Sequence, residues 1–78
     1  MSKFAKLIEL ENNEQVLLTL NYNDEDDNFE VEVRTDLEGV TASIKLGFNE
    51  EEKALNMLEK YKKDDAMKYR NEMVKMIM

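Results

Sequence analysis

The chain of 78 residues carries 18 acidic and 11 basic residues, a net charge of −7, and 42% of its residues are hydrophobic. This length suits one domain with a small core, and the apolar content is too high for a disordered acidic tail. Cys and His are both absent, which excludes disulfides, thiolate metal sites and histidine-dependent catalysis. No apolar run approaches the roughly 18 residues of a membrane span, and residues 1–11 lack a signal-peptide core, so we expect a cytoplasmic protein.

Four segments alternate apolar and polar residues with the period of two that is typical of half-buried strands. They are residues 4–11, 16–22, 29–35 and 40–46. An Asn12-Asn13 turn, an acidic loop and a tight turn ending at Gly39 separate them, and Asn and Gly tolerate the left-handed backbone angles of such turns. Because these connections are short, only antiparallel neighbours can be joined, and the sequence predicts a four-stranded meander.

Helical periodicity follows the sheet. Asn49 is predicted to be the N-cap of a helix over residues 50–63, with three glutamates in the first turn, where the helix dipole favours anions. The apolar stripe of this helix fails at residues 62–65, and a second stripe begins after them. This phase change predicts two helices with Asp64 or Asp65 as the new N-cap, or one long bent helix, because no Gly or Pro forces a break.

The predicted fold class is α+β, a single domain over residues 1–78 with a sheet over residues 3–47 and a helical region over residues 50–77. A helix of about 14 residues is near 21 Å long, enough to cross four strands spaced about 4.8 Å apart. The sheet face that it should cover consists of Phe4, Ile8, Leu10, Val16, Leu18, Leu20, Phe29, Val31, Val33, Val40, Ile44 and Leu46. We therefore expect the first helix to complete most of the core, with Lys6 as a polar exception on the covered face.

The second helical stripe is then expected to be partly surplus to the core. Its members are Met67, Tyr69, Met73, Val74, Met76 and Ile77. Apolar patches are seldom left exposed on monomers, Met suits adaptable contacts, and twofold dimers are the commonest oligomers. The sequence predicts a homodimer joined through the C-terminal helix; the alternative is that this stripe packs on the same core.

The charge imbalance lies in residues 24–38, DEDDNFEVEVRTDLE, with eight acidic residues and one basic residue, while the rest of the chain is balanced. The eight acidic residues, which we call the acidic ridge, are Asp24, Glu25, Asp26, Asp27, Glu30, Glu32, Asp36 and Glu38. Alternation places Glu30 and Glu32 about 6.8 Å apart on the sheet face opposite the helices. The predicted ridge is roughly 30 Å long, and its charge density is of the same order as one phosphate per about 3.4 Å of a DNA strand.

Such a ridge complements a basic protein and repels nucleic acid and anionic membranes. We expect a non-enzymatic inhibitor in which the eight carboxylates act as phosphate surrogates on the DNA-binding surface of a basic host protein. The alternative is a small structural or adaptor subunit that works through its Met-rich C-terminal helix, while the acidic residues only solubilise it.

A calcium site is a weaker alternative for the acidic loop. Asp24, Asp26 and Asn28 alternate as in an EF-hand loop. However, Phe29 and Thr35 stand where that loop has its Gly and its Glu. No metal or cofactor is therefore expected.

By its size, its lack of His, Cys and Pro, its Asn-, Lys- and Glu-rich composition and the segment DEDDNFEVEVRTDLE, the chain resembles small acidic phage proteins that mimic DNA. Within that group it is similar to the phage-encoded inhibitor of the bacterial histone-like protein HU, an acidic homodimer. The resemblance implies a nucleoid-associated partner in the host cytoplasm and a role in host takeover.

Overall fold

The computed structural model describes residues 2–77, apart from the side chains of Ser2, Lys3 and Asn12. The elements in chain order are β1 (Ser2–Glu9), a 3-10 turn (Glu11–Asn13), β2 (Gln15–Asn23), β3 (Asn28–Leu37), β4 (Val40–Phe48), α1 (Glu51–Lys60) and α2 (Lys63–Ile77). The strands form one antiparallel sheet in the order β1-β2-β3-β4. The predicted α+β meander is confirmed.

Each connection in the sheet contains a residue with a left-handed backbone. Asn13 has a φ of 64° and Asp27, at the end of the four-residue β2–β3 turn, has a φ of 51°. The β3–β4 turn has only two residues, Glu38 with a φ of 50° and Gly39 with a φ of 79°. Positive φ at both central positions is the type I′ geometry that matches the twist of the flanking strands.

The core lies between the sheet and both helices. Its buried members are Ile8, Leu10, Val16, Leu18, Leu20, Val31, Val33, Ala54, Leu58, Ala66 and Tyr69. Buried polar groups in this layer have partners, as burial requires. The Thr35 hydroxyl donates to the Gln15 carbonyl at 2.9 Å, and the Tyr69 hydroxyl donates to the Val33 carbonyl at 3.3 Å.

Helix α1 is shorter than predicted. It spans 10 residues, a length of about 15 Å, and it contributes only Ala54 and Leu58 to the buried core. Glu50, not Asn49, occupies the N-cap position, where its carbonyl accepts a hydrogen bond from the Ala54 amide at 3.4 Å. The predictions of an Asn49 cap and of a helix over residues 50–63 are therefore wrong. A helix this short does not complete the core alone.

The two helices are separated at residues 61–62, so the two-helix alternative is correct. The Lys62 amide donates to Asp65 Oδ2 at 3.0 Å, and the Lys62 carbonyl accepts from the Ala66 amide at 3.1 Å. A first-turn side chain that reaches back to the amide before the helix is the reciprocal half of a capping box. Asp65 thus stabilises the start of α2 from inside its first turn and not as the N-cap.

Two basic side chains attach the helices to β1 and to the connection that precedes β2. Lys6, the polar exception on the covered face, donates from Nζ to the carbonyls of Leu58 at 2.8 Å and Tyr61 at 2.6 Å. These carbonyls lie at the C-terminal end of α1, where backbone acceptors lack helical partners and the dipole is negative. Arg70 of α2 forms a bidentate ion pair with Glu14, with Nε–Oε1 at 2.9 Å and Nη2–Oε2 at 3.2 Å.

The helices do not cover the whole of the predicted core face. The exceptions are Phe4, which is 51% exposed, Val40 and Ile44, which are 42% exposed, and Leu46, which is 40% exposed. All four lie on the edge strands β1 and β4, whereas the core centres on β2 and β3. Their predicted burial is therefore wrong. Leu37, expected in a turn, is only 2% exposed.

Part of the second helical stripe packs on the core of its own chain. Tyr69 is buried, and Met67 and Met73 pack against the core cluster. The more accessible remainder, at the end of α2, consists of half-buried Val74 and exposed Met76 and Ile77. The stripe is therefore only partly surplus, and more of it packs on the core than a first helix that completes the core would allow. A dimer through α2 stays a prediction and has only this remainder as its surface.

Candidate functional site

The acidic ridge follows β3 and the turns at its two ends. β3 is an inner strand, between β2 and β4. Its apolar residues face the helices, so alternation places Glu30, Glu32 and Asp36 on the opposite side, which we call the open face. Residues 24–27 form the β2–β3 turn, and Glu38 lies in the β3–β4 turn. All eight residues of the ridge are thus placed along one strand and its two turns.

Asn23 organises the β2–β3 turn. Its Oδ1 accepts hydrogen bonds from the backbone amides of Glu25 at 3.0 Å and Asp26 at 3.3 Å, as in an Asx turn. Its Nδ2 donates to Asp26 Oδ2 at 3.2 Å and to Glu30 Oε1. The amide has no net charge, so it holds these carboxylates together without neutralising them.

Tyr22 supports the same turn from β2. Its hydroxyl donates to Asp27 Oδ1, and its ring lies 5.2 Å from the ring of Phe29 in a tilted arrangement. The hydrogen bond to Asp27, desolvation, and the negative charges of Asp27 and Asp24 raise the pKa of Tyr22 above its ordinary value of 10.0. Tyr22 therefore contributes a neutral hydrogen-bond donor next to the acids.

The described cations of the chain offset only part of the negative charge of the ridge. Among the side chains that the structure describes, no Lys or Arg forms an ion pair within 4.0 Å of any ridge carboxylate. Arg34 lies between Glu32 and Asp36 on the open face, and Lys45 of β4 stands opposite Glu32 in the ladder. These two cations lower the charge near the middle of the ridge, so its densest part is the β2–β3 turn.

Two further acidic residues, Glu50 and Glu52, lie at the same end of the sheet as that turn. Phe48, the last residue of β4, pairs with Phe29, the second residue of β3. Both glutamates follow Phe48 closely and are exposed. Helical periodicity predicts them only in the first turn of a helix. The two-residue turn at Glu38-Gly39 is the sequence feature that could have placed them. It pairs residues at equal distances from the turn, so Phe48 pairs with Phe29, and the residues after Phe48 lie beside the β2–β3 turn.

One concavity of the described structure lies away from the ridge. That concavity, of about 480 Å³, lies between β1 and α1 and has Phe4, Lys6 and Leu55 in its lining. No group of three or more acidic side chains within the described part of the chain is arranged to hold a metal ion. Neither α1 nor α2, the two helices described, is long and apolar enough to cross a membrane.

Fold and surface together define a small α+β domain whose sheet carries two helices on one face and acidic residues on the other. No family model, curated protein or solved structure matches the chain.

Proposed function

We propose that this protein is a non-enzymatic DNA mimic, which inhibits a basic host protein by occupying its DNA-binding surface with the acidic ridge. The observation that carries the proposal is the placement of eight carboxylates along one inner strand and its turns, with no ion pair to a described Lys or Arg. The proposed partner is a nucleoid-associated protein of the host cytoplasm. This setting rests on the resemblance to small acidic phage proteins.

A purely solubilising role does not account for where the acids are. Charged residues that protect a sheet from aggregation are expected on its edge strands. Here Glu30, Glu32 and Asp36 lie on inner strand β3 and the other five acids lie in its two turns, while the edge strand β4 carries Lys45 as its one charged residue. Like charges held this close together cost stability. A basic partner surface would recover that cost, because it supplies the missing counter-charge.

The dimensions of the ridge favour a phosphate-like role. β3 has 10 residues, which span about 34 Å, and its alternate side chains are about 6.8 Å apart. With three carboxylates on β3 and five more in the turns at its two ends, the ridge approaches the density of one DNA strand, with a phosphate every 3.4 Å or so. Since Arg34 and Lys45 interrupt the middle, we expect the β2–β3 turn to contribute most to binding.

The adaptor alternative has little exposed surface. Tyr69 is buried in the core, and Met67 and Met73 pack against it. Met76 and Ile77 are exposed at the end of α2, and a patch of this size is small for a stable protein interface. The acidic ridge is the larger candidate surface.

The test uses purified HU and a labelled DNA duplex. We expect the protein to displace the duplex from HU, and we expect the double variant Glu30→Lys/Glu32→Lys to lose at least tenfold in affinity, about 1.4 kcal/mol. The matched control is Glu59→Lys/Glu72→Lys, which makes the same change in net charge at exposed positions on the helices.

Equal losses in both double variants would show that only the net charge matters and would contradict a defined ridge. The proposal also fails if the protein neither displaces DNA from HU nor retains any DNA-binding protein from a host lysate at low salt. Circular dichroism of each variant establishes that the fold is intact.

A further inference from the structure

The two edges of the sheet are protected to very different degrees. β1 carries Lys3, Lys6 and Glu9, and its register is irregular between Ser2 and Phe4. Charged residues and bulges of this kind prevent one sheet from pairing with another. β4 is less protected along its nine residues: its register with β3 is continuous, and Lys45 is its one charged residue in a chain that is 37% charged. β4 is therefore the edge that is open to another strand.

Side chains along β4 add an unburied apolar row. Val40, Ile44 and Leu46 are 40–42% exposed on the helix side of the sheet. In the alternation of β4 they share that side with Ala42 and Phe48. A long, exposed, largely uncharged edge strand with apolar side chains is a template for pairing with a further strand.

The backbone of β4 favours one pairing register. In a type I′ hairpin the residues flanking the turn form a hydrogen-bonded pair, and such pairs alternate along the ladder. Counting from the Leu37–Val40 pair, the groups that point away from β3 belong to Thr41, Ser43, Lys45 and Gly47. An antiparallel copy of β4 forms hydrogen bonds with the outward backbone groups of all four residues when Thr41 faces Gly47 and Ser43 faces Lys45 of the other copy. The twofold axis then passes at Ile44, the middle residue of the strand.

We propose that two copies of this protein dimerise through β4 in this register and form a continuous eight-stranded sheet. Ile44 meets Ile44 of the second copy at the axis, Ala42 meets Leu46, and Val40 meets Phe48. Lys45 faces a serine and not another lysine, and within its own chain it stands opposite Glu32. The pairing thus joins apolar to apolar side chains and avoids direct contact between like charges.

This dimer would also arrange the acidic ridges, a consequence that rests on the proposed function. The order β3-β4-β4-β3 across the axis places the two ridges on one open face, antiparallel and about 14 Å apart, three interstrand spacings. The two backbones of DNA are also antiparallel, and its major groove is about 12 Å wide. The dimer would therefore present two acidic strips in a DNA-like arrangement.

Cysteine cross-linking tests the register, because the chain has no cysteine of its own. Residues facing each other at a non-hydrogen-bonded pair have Cα atoms about 4.5 Å apart, within disulfide range. We expect Ile44→Cys to form a covalent dimer with oxidised glutathione. Leu46→Cys is the matched control, because the two copies of residue 46 would be about 14 Å apart. Equal cross-linking of both variants, or none for Ile44→Cys, would overturn the proposal.

Sedimentation of the protein without any partner provides an independent test. We expect the wild-type protein to be a dimer. Ile44→Lys should dissociate it, because this variant places two ammonium groups at the axis. Met76→Lys, at a 77% exposed position on α2, should leave the dimer intact. If Met76→Lys dissociated the dimer and Ile44→Lys did not, the interface would lie on α2. A wild-type protein that is monomeric at every concentration would overturn the proposal.

Salt separates this proposal from the proposed function. Each copy carries a net charge of −7, so screening should strengthen dimerisation, whereas it should weaken binding to a basic protein. Because dimerisation is measured without HU, failure of DNA mimicry would leave its result standing, and the reverse also holds.

Discussion

The attachment of α1 to the sheet by Lys6 leads to a quantitative prediction for the variant Lys6→Met. Methionine keeps most of the aliphatic stem and removes the ammonium group that donates to Leu58 and Tyr61 at 2.8 and 2.6 Å. A hydrogen bond from a charged donor contributes about 1.5–3 kcal/mol when buried. The side chain is half-buried, so water replaces part of the loss, and we expect a total cost of about 2 kcal/mol.

Urea and thermal unfolding, followed by circular dichroism at one protein concentration, measure this cost. In a domain of this size about 2 kcal/mol corresponds to a decrease in Tm of roughly 8–16 °C. The control is Lys68→Met, an exposed position on α2 at which the same charge is lost. If both variants lost the same stability to within about 0.5 kcal/mol, the range of ordinary surface substitutions, the ammonium group would not anchor α1.

Three further predictions concern single side chains. Burial raises the pKa of Tyr69 above its ordinary value of 10.0. The contribution of the neutral phenol to the free energy of unfolding is therefore fully present below about pH 10 and is lost as the pH rises through the folded-state pKa. In alkaline denaturation, the stability difference between wild type and Tyr69→Phe should shrink above about pH 10. Gly47→Ala would place a Cβ 2.7 Å from Asn28 Nδ2 and should cost about 1 kcal/mol, and a double-mutant cycle with Asn28→Ala should recover most of it. Glu38→Asn should raise the free energy of unfolding by about 0.5 kcal/mol, because Asn suits the first position of a type I′ turn, and urea unfolding in which the variant is less stable would contradict this explanation.

The sheet was predictable because its determinants are local in sequence. Alternation identified each strand, and the short connections left only an antiparallel meander. The turn at Glu38-Gly39 even determines the register of β3 with β4, since a two-residue turn fixes which residues face each other. The helix break was also visible as a change of phase in the apolar stripe, although only the structure identified Asp65 as the residue that caps it from within.

Features that depend on contacts between distant segments were not predictable. Lys6 interrupts an apolar face in sequence, and only the end of α1, more than fifty residues later, makes it a favourable residue there. The exposure of Ile44 and Leu46 follows from the length and position of the helices, which alternation along β4 does not encode. The packing of Tyr69 in the core follows from the same cause, because a short α1 leaves part of the sheet for α2 to cover.

The ridge itself could be located from composition, but its chemical context could not. Asn23 holds Asp26 and Glu30 beside each other, and Tyr22 donates to Asp27. These contacts depend on the pairing of β2 with β3. The placement of the ridge along an inner strand and its turns, next to an edge strand with one charged residue, likewise follows from the strand order.

The salt dependence of binding to HU tests most directly whether the carboxylates of the ridge replace phosphates. We expect the affinity of the wild-type protein to fall steeply with added salt, because exposed charges are screened within about 10 Å at 0.1 M. Asp24→Asn/Asp26→Asn should bind more weakly and with a shallower salt dependence, whereas Glu59→Gln/Glu72→Gln should keep the wild-type slope. Binding that is insensitive to salt, or the same slope for all three proteins, would contradict a DNA-mimic role for the ridge.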